Sequence, residues 1–509
     1  MFTQNTPCSV HLFDFEGQKI AFNGNSYGVA LMNDIGFSTM SQYLTSGNGD
    51  IANLDNETQN FIKDDSLSLT TPKRLENANI NRLDMLCLLV TSKCNLKCDY
   101  CFNEQGSYSF LPAESMDERT AMNAVIFLLN HCGDYATISF FGGEPTLKFS
   151  FIKKIVEFSK EKAKNKVSLS FSIATNGTLI TDEIAQFLKS HNFAIVYSID
   201  GGEAIHDYHR KFPHGSGSFQ STMQGAKKIL SVFDNSQDKV VFRGTYTHQN
   251  KEFHNAYIQL VNSGFKNISI EPAVGKISDI YAVKMSDISE LSIEYRKLAK
   301  DYWENYLHHP DISFFHLTNL LKNLSNKQKH DTPCGASTGY ITIAPNGDIY
   351  PCHRIVNTKY KLGNINDIPL NQPWTNSLQN EFYNATVTNR AECQSCWAKW
   401  LCGGSCYASN IVDDKDIYDQ HPVDCALMKI RIEAAIWIYL QQELLKENLV
   451  ADMILKENNI KIFHSGPKSS QHATNAGCGF CEIIACQVSC ESSCTSCTSS
   501  CTTSCEPFF

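Results

Sequence analysis

The chain has 509 residues, 42% of them hydrophobic and 19% charged, with a formal net charge of −9. That balance excludes a disordered or fibrous protein, and an acidic total without a Lys/Arg block argues against a nucleic-acid partner. A chain this long predicts about three to four domains. The N-terminal run MFTQNTPCSVHLFDFEGQ has neither a basic head nor an apolar core, and no stretch is long enough to span a bilayer, so the expected location is cytoplasmic, with no membrane partner. The 21 cysteines gather in short motifs, which without an export signal points to metal binding rather than disulfides.

Residues 9–32 alternate short apolar runs (VHLFDF, KIAF, VALM) with Gly and Asn turns, which predicts a small β-meander. A helix is expected over Ile35–Leu44, and a polar stretch then runs from Ser46 to Asp84. The pattern resembles the small peptide-recognition element at the N-terminus of many maturases of ribosomally made peptides. A capping subdomain with no binding role is the alternative.

Next comes an apolar run, Met85 to Val90, followed by Cys94, Cys98 and Cys101 in a C-x3-C-x2-C spacing. This reads as a buried strand delivering three thiolates to its C-terminal end. Three thiolates hold three irons of a four-iron cubane, whereas a closed ferredoxin-type cluster needs four. One iron is left open, as in catalytic metal sites. A zinc knuckle is the alternative.

From Asp84 to about Pro272, strand-like runs (MLCLLV, TISFF, VSLSFSIA, AIVYSI, KVVFRGTY, NISIEP) alternate with helices near 116–131, 150–164, 182–190, 219–233 and 251–263. Such alternation predicts a parallel sheet with chemistry at the C-terminal strand ends. Those ends carry Gly142-Gly143-Glu144-Pro145, Ala174-Thr175-Asn176-Gly177-Thr178, Ser198-Ile199-Asp200-Gly201 with His206, Asp207 and Arg210 beyond it, and Arg243. Glycines let backbone approach a ligand, and Glu144 can pair with an ammonium.

Together these motifs resemble the radical SAM superfamily, which implies an α/β fold with a partial (β/α)6 TIM-like barrel. The resemblance implies that S-adenosylmethionine chelates the open iron at Cys94, Cys98 and Cys101 and is cleaved to a 5′-deoxyadenosyl radical. It also implies that Gly142, Gly143 and Glu144 receive the cofactor's amino group and that Asn176 lies near the cofactor. Ser198, Asp200 and Arg210 then contact ribose and carboxylate, with Arg243 competing for the carboxylate. Tyr100 and Phe102 are expected beside the adenine. For any one of these residues a cap, a surface pair or a place in the core is the alternative.

From Cys334 the chain reads CGASTGYITIAPNGDIYPC, then CQSCWAKWLCGGSC, then VDC. This seven-cysteine pattern resembles the SPASM domain, a carrier of auxiliary four-iron clusters. The resemblance gives Cys393, Cys396, Cys402 and Cys425 to one cluster and Cys334, Cys352 and Cys406 to another. The segment NKQKHDTP before Cys334 lacks the additional cysteine of some SPASM enzymes. An open iron for a substrate thiolate is therefore implied, with water, His330 or His353 as the alternative ligand.

A helix is predicted from Met428 to about Asn458. Residues 464–477 form a polar linker whose reach is about 20 Å as a coil and about 48 Å when taut. The last 32 residues hold eight cysteines among Ser and Thr, and they resemble the core of cysteine-rich precursor peptides of the SCIFF type. A metal-binding or unmodified tail is the alternative. The expected domains are 1–83 (recognition element and linker), 84–310 (radical SAM core), 311–460 (SPASM domain and closing helix) and 461–509 (linker and tail).

The function expected is that of a radical SAM/SPASM maturase of a cysteine-rich (SCIFF, ranthipeptide or sactipeptide-like) peptide, forming thioether crosslinks. Its cofactors would be one radical SAM and two auxiliary [4Fe–4S] clusters with S-adenosylmethionine. Its partners would be a precursor peptide, either its own tail or a separate chain, and a low-potential electron donor. A formylglycine-type sulfatase maturase and a non-catalytic iron–sulfur protein are the alternatives.

Overall fold

The computed structural model describes residues 9–46, 51–72, 82–448 except 105–107, 109–110, 112–113, 165, 277 and 373–375, and 460–463. The chain opens as an antiparallel meander of β1 (Val10–Phe15), β2 (Gln18–Asn23) and β3 (Gly28–Met32). Alternation splits its side chains between two cores. Phe15, Phe22, Val29 and Leu31 enter the large core, whereas Ala21, Ala30 and Met32 pack with Met40 and Phe61. The stretch read as merely polar contains a helix, Asn56–Lys63. Asp55 caps it by accepting from the Thr58 amide at 2.8 Å, and buried Phe61 pins it down.

Six parallel strands then lie side by side in chain order: β4 (Met85–Thr91), β5 (Tyr135–Gly142), β6 (Ser168–Thr175), β7 (Ala194–Ser198), β8 (Val240–Tyr246) and β9 (Asn267–Pro272). All of β4 is buried because each face meets a different core. Leu86, Leu88 and Val90 meet the helices between the strands, while Met85, Cys87 and Leu89 meet Tyr340, Tyr350 and Tyr407. This is why the run is continuously apolar rather than alternating.

The sheet extends further than the sequence reading anticipated. At one edge β10 (Ser313–Phe314) adds parallel to β9; at the other, β11 (Tyr340–Ile343) adds parallel to β4. β12 (Asp348–Tyr350) and β13 (Gly363–Asn364) continue it antiparallel, giving ten strands. The second cysteine region thus hangs on the strand that carries the first cysteine loop.

The long closing helix spans Pro422–Lys446, not Met428 to Asn458. Pro422 sits at its first turn, where a missing amide costs nothing, so Cys425 lies inside the helix. The end expected near Asn458 lies outside the described residues. Ile460–Phe463, expected largely as linker, is a strand, β14. It pairs antiparallel with β3, with Ile460 facing Met32 and Phe463 facing Val29. Both of those apolar residues are buried, which offsets the cost of so short a strand. The 464–509 linker and cysteine-rich tail lie outside the described residues. No helix among the described residues is long and apolar enough to cross a membrane.

Candidate active site

The cysteine loop leaves β4 and is clamped by the next strand end. Gly143 N donates to Thr91 O at 2.8 Å and Glu144 N to Lys93 O at 2.9 Å. Asn103 Nδ2 donates to Gly142 O at 2.9 Å. The two glycines are needed here for a reason other than ligand approach. A Cβ on Gly142, whose φ is 136°, would collide with the Thr91 carbonyl, and one on Gly143 with the Lys93 carbonyl, standing 2.9 Å from Cys94 N. We expect Gly143→Ala to displace the cysteine loop, at a cost of about 1–3 kcal/mol of overpacking. The measurement is iron per chain after reconstitution, which should fall by about a third if one of three clusters is lost.

Glu144 is 1% exposed, and burial raises its pKa. Its carboxylate accepts from Asn176 N (2.7 Å), Thr175 Oγ1 (2.7 Å), Thr146 Oγ1 (2.5 Å) and Thr146 N (3.1 Å). A buried carboxyl so held at a cavity wall suits a cationic partner. Asn176 is held by Asn95, with Nδ2 to Oδ1 at 2.9 Å.

Arg210 donates to Tyr100 Oη at 3.0 Å, and Tyr100 donates to Asp200 Oδ2 at 2.5 Å. Burial pushes the Asp200 carboxyl up to about 6. Asp200 stands behind the cavity wall and orients Tyr100. Asp207 accepts from the Ser218 and Phe219 amides, both at 2.8 Å, and His206 pairs with Ser218 Oγ, so these two shape the turn. Ser198, Arg210 and Arg243 reach the wall. Arg210 is engaged by Tyr100, whereas Arg243 has no side-chain hydrogen bond among the described residues. Phe102 turns toward Phe141 (6.3 Å) and His353 (6.0 Å), under the Arg354 guanidinium.

Glu144, Asn176, Ser198, Arg210 and Arg243, with Tyr100 and Phe102, line one cavity of about 370 Å³. Cys94, Cys98 and Cys101 line it, and so do Cys334, Cys352, Cys402 and Cys406. Cys393, Cys396 and Cys425 do not reach it. Burial pushes Cys94 and Cys98 up to about 12, with Glu144 and Cys101 adding to the rise at Cys94 and Cys101 adding to it at Cys98. Burial and then Cys406 and Cys334 raise Cys352, while burial and then Cys425, Cys393 and Cys396 raise Cys402. The cysteines therefore fall into three groups. Arg354 links to the second of them, donating from its amide to Cys352 Sγ (3.2 Å) and from its guanidinium to Cys406 Sγ (3.4 Å). His330 also lines the cavity, and His353 Nδ1 is tied to Tyr340 Oη at 2.5 Å.

These groups fit iron–sulfur clusters. A buried thiol stays protonated unless a metal displaces the proton. Arg390 adds an independent sign: it is 1% exposed, lies over the Tyr407 ring and acts on Cys393, and none of its three guanidinium nitrogens has a hydrogen-bond partner among the described residues. Buried donors without acceptors are rare, and cluster sulfur near Cys393 would accept them.

Residues 88–255 match the radical SAM superfamily, and residues 334–397 match SPASM, an iron–sulfur cluster-binding domain. The chain is 28% identical over 348 residues to a cysteine-type anaerobic sulfatase-maturating enzyme of Clostridium perfringens, covering 64% of this chain and 88% of that protein. It is 24% identical over 440 residues to the radical SAM cyclopropyl synthase TigE of Paramaledivibacter caminithermalis, covering 80% and 86%. Its fold is similar to that of a tagged form of anSMEcpe with bound AdoMet, with a TM-score of 0.62 at 25% identity, covering 74% of this chain and 98% of that one. The chain belongs to the radical SAM superfamily and is an enzyme of the SPASM-containing kind. Its cofactors are 4Fe–4S clusters and S-adenosylmethionine.

Sequence reasoning missed Glu271, His316, Arg354 and Arg431, which line the same cavity as the cysteine groups. Glu271 was findable, since it stands one residue before the C-terminal end of β9, much as Glu144 follows β5. Arg431 was hidden on the apolar face of the closing helix, where charge is least expected.

Proposed function

We propose that this enzyme matures a cysteine-rich peptide, joining cysteine sulfur to carbon, and that its own C-terminal tail is the substrate. The observation that carries the reading is the shared cavity. The three-cysteine group Cys334, Cys352 and Cys406 lines it together with Cys94, Cys98 and Cys101, while the four-cysteine group touches it only through Cys402. A group one ligand short of four is the one suited to receive a substrate thiolate, and it faces the site of radical formation.

Cys94, Cys98 and Cys101 would hold the radical SAM cluster, Cys334, Cys352 and Cys406 the open auxiliary cluster, and Cys393, Cys396, Cys402 and Cys425 the closed one. With S-adenosylmethionine bound, the first cluster supplies a 5′-deoxyadenosyl radical by one-electron cleavage. Glu144 accepts the cofactor's ammonium, Arg243 or Arg210 its carboxylate, and Ser198 its ribose. Arg354 keeps a cation against the Cys352 and Cys406 sulfurs.

β14 supports the choice of substrate, because it anchors residue 463 on the N-terminal sheet directly before the linker. Main-chain strand pairing of this kind is a recurring mode of peptide recognition. A tail so tethered has an effective concentration of order millimolar. The likeness to a sulfatase-maturating enzyme favours a second reading, oxidation of a cysteine to formylglycine.

The test is anaerobic incubation of the reconstituted full chain with S-adenosylmethionine and a reductant, followed by mass spectrometry of the released tail. Loss of two hydrogens per bridge, with sulfur-to-carbon bonds in the fragment spectra, is expected. An unchanged tail accompanied by formylglycine in a sulfatase-type peptide would overturn the reading.

A further inference from the structure

On the wall of the same cavity, two ionisable side chains form a pair to which none of the roles above is given. Glu271 is the last residue but one of β9, and His316 is the second of the helix Phe315–Ser325 that follows β10. His316 Nε2 lies 2.5 Å from Glu271 Oε1, which also accepts from Ser269 Oγ at 2.7 Å. Both residues line the cavity. The charged groups facing the imidazole are Glu271, Arg243 of β8, and Arg431 of the closing helix, whose NH2 stands 3.8 Å from Glu271 Oε2.

This arrangement dictates a tautomer. Burial first, and Arg431 next, lower the His316 pKa, so the ring is neutral near pH 7. Burial opposes ionisation of Glu271, but the hydrogen bond donated by His316 and the charges of Arg243 and Arg431 favour the carboxylate and lower its pKa. A carboxylate can only accept, so Nε2 carries the hydrogen and Nδ1 keeps its lone pair. An imidazole oriented by a buried carboxylate on one nitrogen and open on the other is built to take a proton.

We infer that His316, oriented by Glu271, is the base that takes the proton from the substrate thiol between the two cysteine groups. The inference rests on the reading that a substrate cysteine reacts through sulfur. In this step the S–H bond breaks with its electron pair left on sulfur, and an Nδ1–H bond forms. Nothing is oxidised or reduced. The new imidazolium is stabilised by Glu271, and the new thiolate by the guanidiniums of Arg354 and Arg431. A neutral pair in a buried site is thereby exchanged for two charges, each with a partner of opposite sign. Oxidation of a cysteine to formylglycine would also require that thiol to lose its proton, so the role of the pair does not depend on which product forms.

The experiment compares His316→Gln and Glu271→Gln with the parent full-length holoenzyme, measuring modified peptide per 5′-deoxyadenosine released. His316→Gln should lower this ratio by about 10²-fold, the typical yield of a positioned base, and Glu271→Gln by less. In His316→Gln the ratio should climb as pH rises toward the thiol pKa of about 8.5, and added imidazole should restore part of it. A ratio within twofold of the parent in His316→Gln would overturn the inference. So would a fall that neither pH nor imidazole moves, or loss of cluster absorbance in both variants, either of which would make the pair structural. The mass of the product reports separately on the underlying reading. A formylglycine product with the ratio lowered as described would sink the thioether reading and leave the base in place.

Discussion

Cys98→Ala is expected to abolish cleavage of S-adenosylmethionine, lowering 5′-deoxyadenosine release by more than about 10³-fold, the scale of removing a group on which the chemistry depends. The three thiols of the loop stand at one wall, and burial with their mutual proximity holds Cys94 and Cys98 as neutral thiols in the absence of metal. With Cys98 gone, two sulfurs remain to hold a cluster that needs three protein ligands and one open corner. The loop itself should survive, because its clamps are backbone bonds from Gly143 and Glu144 to Thr91 and Lys93, none of which uses the Cys98 side chain. Release of 5′-deoxyadenosine, measured chromatographically, decides the matter. A rate near that of the parent enzyme would remove the loop from the chemistry.

Cys334→Ala is expected to act later in the reaction. Peptide crosslinking should fall by about 10²-fold or more, the range seen when a positioned reacting group is lost, while 5′-deoxyadenosine release falls far less. The reason is spatial: Cys334, Cys352 and Cys406 share the cavity with the first loop but belong to a separate electrostatic group. Arg354, bonded to Cys352 and Cys406, would then face a weakened cluster. Product and 5′-deoxyadenosine should be measured in the same reaction. Equal loss of both would contradict the role given to this group.

Much of the fold was legible because its signals are local. β4 to β9 appear as apolar runs of strand length, and Thr181 and Asp117 cap the helices that follow strand ends. The cysteine spacings were equally plain, since metal ligands must come from residues of few types at short separations. Nonlocal packing was not legible. β14 is four residues long and exists only because β3, near the other end of the chain, offers it an edge. β11 joins β4 through a parallel ladder that no hydrophobic period announces. Pro422 could have been read as a helix start, but the polar residues around it masked the beginning of the closing helix. His316 and Glu271 are 45 residues apart and meet only because β10 lies beside β9. The sequence reading set Asp200 at the cofactor's ribose and carboxylate, whereas the structure places it behind the cavity wall, and that reading explained Gly142 and Gly143 by ligand approach alone. What it lacked was their cause: the glycines admit the cysteine loop, and Asp200 holds Tyr100 in place.

The most direct test of the account is electron spin resonance of the anaerobically reduced Cys334→Ala and parent proteins, recorded with and without S-adenosylmethionine. A four-iron signal at Cys94, Cys98 and Cys101 that shifts when the sulfonium is added, in both proteins, is the predicted result. Reduced protein whose spectrum shows no four-iron signal, or one indifferent to that molecule, would contradict the vacant iron corner on which the proposed chemistry depends.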